Sequence, residues 1–353
     1  MGSYISARRL HLQIICVCRA FHLAGSLLGA ILRIAPNSPH FIGSASFKKG
    51  DVKNEATRTL LKAIAVTLVL LTGVGILLSF VSRAPESERV VYRTVEDVSL
   101  TLDIYRPSHW KQTDRRPCVV WFFGGGWEVG GPPQFAGQAA YMADAGFVSI
   151  TPDYRVRSRH GKKTTPFDSV SDAMHAIAWV REHATDLGID PTRIAAGGGS
   201  SGGHLAIICA LLKGDTKIET LILPPVPADT RPDCLILFNP LLDFNIPAVL
   251  QRTTPVQRGN LEAISPIHLI DRTLPPTLIL HGTADNIIPI ETAEAFVAAA
   301  EESGAKAVKL ISYEGKGHEF YLHGPGSGKA FKSSMKEVIT FLGELGWTPE
   351  RVD

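Results

Sequence analysis

From residue 90 onward, short uninterrupted apolar runs alternate with longer stretches in which apolar residues recur every three or four positions. The runs have the length and β-branched content of strands, and the periodic stretches have the spacing of helices with one buried side. This pattern predicts strands at 90–93, 100–105, 118–122, 147–151, 194–196, 234–238, 277–280 and 308–312. Helices are predicted at 135–145, 169–187, 202–212, 290–303 and 330–345. Strand and helix taking turns in this way predict an α/β domain, a mostly parallel sheet covered by helices on both faces. In the helix at 169–187, Val170, Met174, Ile177 and Val180 mark the buried side, and Asp172 is read as a solvated or loop-bracing acid.

The residues before this domain are patterned differently. Residues 63–81 carry no charge and stand between Lys62 and Arg83, long enough to cross a bilayer as a helix. Lys48, Lys49, Lys53, Arg58 and Lys62 precede the run, against Arg83 and Arg89 after it. The positive-inside rule then keeps the amino end in the cytosol and puts the following domain on the non-cytoplasmic side. Ser82-Arg83-Ala84 has suitable sizes for signal cleavage, but Pro85 is unfavourable directly after it, so a retained anchor is preferred over a secreted or periplasmic protein. The chain thus divides into a leader at 1–62, untranslated or cytosolic, a transmembrane helix or signal-anchor at 63–81, and a domain at 85–353.

Candidate chemistry centres on Gly198-Gly199-Ser200-Ser201-Gly202, which follows a predicted strand and opens a helix. It fits G-x-S-x-G, a turn in which small neighbours let a strained backbone lift one hydroxyl clear of the sheet. Gly197, Gly199 and Gly202 also satisfy G-x-G-x-x-G, the pyrophosphate-cradling turn of dinucleotide sites. That reading wants an acid at the end of the next strand, and the stretch at 220–225 ends in Leu223-Pro224-Pro225 instead.

Two partners follow in the order serine, acid, histidine. Asp285 comes after the strand at 277–280, and His318 lies in a loop between Gly317 and Glu319. His318 would take the Ser200 proton during attack on a carbonyl and return it to the leaving group, with Asp285 fixing its tautomer. Upstream, Gly124-Gly125-Gly126 follows a buried strand and exposes backbone N–H groups to a developing oxyanion. Gly125, Gly126 and the N–H of Ser201 are the candidate donors. Asp243, after the strand at 234–238, is an alternative acid whose simpler role is a local turn bond. His204 and His281 are read as packing or turn residues, and Trp127 as either acyl-pocket wall or plain packing.

These motifs, together with Asp153-Tyr154-Arg155, Gly188-Ile189-Asp190-Pro191, Gly203-His204 and His281-Gly282, resemble the α/β-hydrolase superfamily. The resemblance is to its esterase/lipase type, close to acetyl-esterase and feruloyl-esterase-like members, and covers residues 88–347. It implies an eight-stranded, mostly parallel sheet with a small or absent cap, and a serine carboxylic-ester hydrolase with the triad Ser200, His318 and Asp285. One departure is Phe123, which stands where an H-G-G-G loop has its histidine. Between 239 and 275 there is room for about one short helix and two loops, so the site is expected to be open and suited to short acyl groups on a bulky alcohol such as a polysaccharide. Two alternatives remain: a serine peptidase of the same fold, and a non-catalytic membrane-tethered binding protein.

Composition narrows the partners. The formal net charge is only +2, which with no basic run interleaved with aromatics gives no case for nucleic acid. No H-E-x-x-H or similar metal spacing occurs, so neither metal nor cofactor is expected. Cys118, Cys209 and Cys234 each lie inside an apolar run and read as buried free thiols, while Cys16 and Cys18 belong to the leader.

Overall fold

A computed structural model describes residues 86–212, 229–251, 255–305, 307–324 and 328–348. The chain separates into two units, 1–82 and 83–353, and every described residue belongs to the second. The expected leader, the apolar run at 63–81, Cys16 and Cys18 all lie outside the described residues. Among the described residues no helix is long and apolar enough to cross a membrane.

Eight strands form one sheet: β1 (Glu88–Val95), β2 (Val98–Tyr105), β3 (Arg116–Phe122), β4 (Val148–Pro152), β5 (Ile189–Gly199), β6 (Cys234–Phe238), β7 (Thr277–Gly282) and β8 (Val308–Tyr313). Their spatial order is β1-β2-β4-β3-β5-β6-β7-β8. β2 pairs antiparallel with both β1 and β4, and all pairings from β4 through β8 are parallel. Every residue of β3, β4, β6 and β7 is buried, so both faces of the central sheet are covered, which is why these strands read as continuous apolar runs. The edge strands β1 and β8 instead mix exposed and covered positions. Across β1 and β2, Arg89 grips Asp103 with two bonds of 2.6 and 2.8 Å at directly paired positions.

The five longer helices are α1 (Ala136–Asp144), α2 (Pro166–Glu182), α3 (Ser201–Leu211), α4 (Glu291–Glu302) and α5 (Gly328–Glu344). α3 packs on β3, β5 and β6, and all of its residues are buried. All eight predicted strands are present, with two instructive differences at the ends. β5 runs on from Ala196 through Gly199 because those glycines pair with Trp121 and Phe122 of β3 and with Ile236 to Phe238 of β6. Glycine has no side chain to carry an apolar signal, so the pattern stops early. α2 begins at Pro166, not at 169, because Thr165 and Asp168 form a reciprocal capping box around a proline in the first turn.

Between β6 and β7 the chain forms two short helices, Pro247–Leu250 and Pro255–Glu262, and a 3₁₀ turn at Pro266–His268. This is one short helix and a 3₁₀ turn more than expected, yet still a small cap. Cys118, Cys209 and Cys234 are buried free thiols, and β5 lies between the strands that carry Cys118 and Cys234.

Of the two readings of Asp172, solvated or loop-bracing, the structure shows the second. Its carboxylate is fully buried, where it accepts from Arg93 Nη1 at 2.5 Å and from Arg155 Nε at 2.8 Å and backbone N at 3.0 Å. It therefore braces β1 and the loop after β4 against α2. Removing one partner of a buried ion network leaves the others uncompensated. Asp172→Ala is expected to lower unfolding free energy by about 3–5 kcal/mol, read as a fall in the urea midpoint at unchanged slope.

Candidate active site

β5 ends at Gly199 and α3 begins at Ser201, so a single residue, Ser200, makes the whole strand-to-helix turn. Its backbone sits at φ 56° and ψ −123°, a region that residues with a side chain seldom occupy. Three bonds hold it there: Ser200 N–H donates to Phe238 O at 3.0 Å, and the Ser200 carbonyl accepts from His204 N at 3.1 Å and Leu241 N at 3.2 Å. The turn is possible only with glycine nearby. A Cβ on Gly202 would come within 2.2 Å of Phe122 O and 2.3 Å of Phe123 O, and one on Gly199 would meet the Tyr321 hydroxyl at 2.1 Å. The G-x-G-x-x-G glycines thus serve the close approach of α3 and Tyr321 to the sheet.

Asp285 follows β7 in a turn at the same carboxyl edge. Its Oδ1 accepts from Ile287 N at 2.9 Å and Ile288 N at 3.0 Å. Its Oδ2 accepts from Asn239 Nδ2 and pairs with His318 Nδ1 at 2.7 Å, with His281 Nε2 3.6 Å away. Burial alone would raise the pKa of this carboxyl. The nearby His281 ring and the hydrogen bonds from His318, the Ile288 N–H and Asn239 outweigh it and hold the group far below the usual carboxylate range.

The His318 loop is laced to the Asp285 turn through Gly315 N–H on Thr283 Oγ1 at 2.8 Å and Ala284 N–H on Lys316 O at 2.9 Å. Because its Nδ1 faces a carboxylate, the ring keeps its proton there, leaving Nε2 as the basic nitrogen. A continuous path joins these groups to the serine. Phe238 O holds Ser200 N, the next residue Asn239 holds Asp285, and Asp285 holds His318. Asn239 carries no role in the sequence reading. A polar residue directly after a wholly buried strand, at the carboxyl edge, is the signal that would have found it.

The glycine loop lies against the elbow, with an ideal Cβ on Gly124 only 3.3 Å from Ser200 Cβ. Gly124 N–H donates to Gln134 Oε1, and Gly126 N–H donates to Ser201 Oγ at 2.9 Å. Gly126 is therefore already engaged, which corrects its place among the free oxyanion donors. Gly125 N–H and Ser201 N–H donate to no described residue. Phe123 is fully buried and stacks on Tyr154 with ring centroids 3.9 Å apart, so packing anchors the start of this loop.

The remaining candidates have local roles. Asp243 Oδ1 accepts from Asn245 N at 2.8 Å, a turn bond. His204 is buried with Nε2 on Ile264 O at 2.8 Å, and burial lowers its pKa to about 4. Trp127 stands edge-on to His204 and Phe244 at 5.3 and 5.8 Å. His281 donates from Nε2 to Ile288 O at 2.9 Å, which shapes the turn that presents Asp285.

This strand order, with a serine at positive φ between β5 and the following helix, defines an α/β-hydrolase. The chain belongs to the BD-FAE family, whose model matches residues 102–236 and 242–299. It is 30% identical over 263 residues to the probable carboxylic ester hydrolase LipM of Mycobacterium tuberculosis, a match covering 69% of this chain and 58% of LipM. The chain spans about three fifths of the length of the curated relatives it matches first. Among solved structures it resembles esterase 2 of Thermogutta terrifontis. The propionate-bound form is 40% identical with a TM-score of 0.67, covering 76% of this chain and 98% of that one. The form phosphonylated by sarin is 38% identical with a TM-score of 0.68, covering 77% and 99%.

The depressed carboxyl at Asp285 has a pH consequence. Its contribution to stability is complete above the unfolded carboxyl value near pH 4 and is lost progressively as pH falls from there toward the folded value. The gap in unfolding midpoint between wild type and Asp285→Asn is expected to be constant from pH 5 to 7 and to narrow below about pH 4, as measured by thermal melts across that range.

Proposed function

We propose that the protein is a serine carboxylic-ester hydrolase that works through an acyl-enzyme on Ser200. The observation that carries this reading is the 2.7 Å pairing of His318 Nδ1 with a buried Asp285 carboxylate, linked through Asn239 to a serine held at a strained strand-to-helix turn.

Ser200 Oγ attacks the ester carbonyl while His318 Nε2 accepts its proton. Asp285 stabilises the imidazolium that forms and remains ionised itself. The tetrahedral oxyanion is met by the N–H groups of Gly125 and Ser201, neither of which donates to another described residue. His318 then delivers the proton to the departing alcohol, and a water activated by the same ring releases the acid and restores the serine.

The small cap and the glycine loop favour short acyl groups, acetyl among them, carried on a bulky alcohol such as a polysaccharide. Structures of the Thermogutta esterase with propionate and with butyrate support the short-chain preference, and its phosphonylation by sarin supports a reactive nucleophile in this kind of site. The uncharged run at 63–81 favours tethering of this domain to a membrane on its non-cytoplasmic side.

On p-nitrophenyl esters, Ser200→Ala should reduce kcat/KM by about 10⁴-fold or more and abolish labelling by a fluorophosphonate. Asp285→Asn should cost about 10³- to 10⁴-fold in kcat, whereas Asp243→Asn should stay within about threefold. Rates should peak at acetate to butyrate; a maximum at eight carbons or longer overturns the short-acyl reading, and unaltered labelling of Ser200→Ala overturns the nucleophile.

A further inference from the structure

We propose that the side-chain hydroxyls of Ser201 and Tyr154 form a buried clasp that fixes the two ends of the glycine loop at 123–126 and so positions its oxyanion donor. At one end, Tyr154 O–H donates to Phe123 O at 2.6 Å. At the other, Gly126 N–H donates to Ser201 Oγ at 2.9 Å.

The direction of every bond follows from counting protons. Each hydroxyl has one hydrogen to give and two lone pairs. Tyr154 spends its hydrogen on Phe123 O, and Ser201 Oγ offers a lone pair to the Gly126 N–H. Each hydroxyl therefore pins one end of the loop. Phe123, Tyr154 and Ser201 are all buried, so water does not compete for these bonds. Burial also pushes the Tyr154 phenol well above its ordinary pKa, which keeps it a donor throughout the neutral range. The stack of Phe123 on Tyr154, at 13° between planes, fixes the direction in which the phenol points.

Gly125 stands between the two clasped ends with its N–H unpartnered. It has φ 134° and no side chain; its carbonyl accepts from Glu128 N at 3.1 Å and Val129 N at 3.2 Å, and the direction of its N–H is set by the peptide that joins it to Gly124. A donor aimed in advance acts without reorganisation at the moment the oxyanion forms, and a displacement of about 1 Å can cost about 10²-fold in rate. Ser201 thus acts twice: its N–H faces the site, and its hydroxyl is a positioning group that alanine would lack while keeping the N–H.

This inference rests on the ester-hydrolase reading, and the experiment separates the two. Wild type, Ser201→Ala, Ser201→Thr, Tyr154→Phe and the double variant Tyr154→Phe/Ser201→Ala are compared in kinetics on p-nitrophenyl acetate and in hydrogen exchange of the peptide at 123–130. Each single removal should lower kcat by about 10- to 100-fold with KM within about twofold. The double variant should be no better than the poorer single one, because each substitution frees one end of the same loop. Ser201→Thr, which keeps a hydroxyl, should retain part of the activity that Ser201→Ala loses, and exchange in the glycine loop should accelerate in each removal variant. An unchanged or raised kcat in Ser201→Ala, a double variant better than the poorer single one, or unaltered loop exchange would each overturn the clasp. If Ser201→Ala does not fold, Tyr154→Phe decides alone by the same readings. A wild type that hydrolyses no ester sinks the functional reading, while the exchange data still decide whether the clasp exists.

Discussion

A serine backbone at φ 56° costs on the order of 1–3 kcal/mol, and it persists here because three hydrogen bonds grip it, one at its N–H and two at its carbonyl. Two of the partners, Phe238 and Leu241, come from the end of β6 and the chain just beyond it. The strain is thus borne by the parallel pairing of β5 with β6, and through β3 by the centre of the sheet.

The same strand ending supports the acid. Asn239 follows Phe238 directly, sits at φ 41°, donates its backbone N–H to Leu280 O and its side chain to Asp285. One short segment, 238–239, therefore sets both the height of the serine turn and the position of the carboxylate. In an open sheet of parallel strands the carboxyl ends all reach one edge, which is why groups far apart in sequence meet there. Asp285 needs several donors because its burial opposes charge, and it collects them from two backbone N–H groups, an amide and the His318 imidazole.

The glycine loop shows how one altered residue is accommodated. Phe123 offers an aromatic face where a histidine would offer nitrogen, and Tyr154 takes up both aspects, stacking on the ring and bonding to the carbonyl. Arg159 lies over the other side of the phenyl ring at 5.7 Å and is itself paired with Asp153, so the loop is backed by packing and charge together.

Much of this was legible in the sequence. The central strands stand out because buried parallel strands are continuous apolar runs, and the order of serine, acid and histidine follows from their places after strands. The small cap follows from the few residues between β6 and β7, although the second short helix there does not. What local pattern could not supply were properties that exist only between distant segments. The glycines of β5 carry no apolar signal, and only pairing with β3 and β6 makes them strand. Asp172 has the sequence context of a surface acid, and only Arg93 and Arg155 arriving from elsewhere make its burial tolerable. Asn239 and Tyr154 gain their roles from partners across the sheet edge, and Gly126 loses its free N–H to a hydroxyl 75 residues further on. The sequence by itself determined which residue types could do the chemistry and in what order they come. The tertiary structure decided which donors are free and which are already bonded, because a hydrogen bond between distant segments depends on where the fold brings them and leaves no period in the chain.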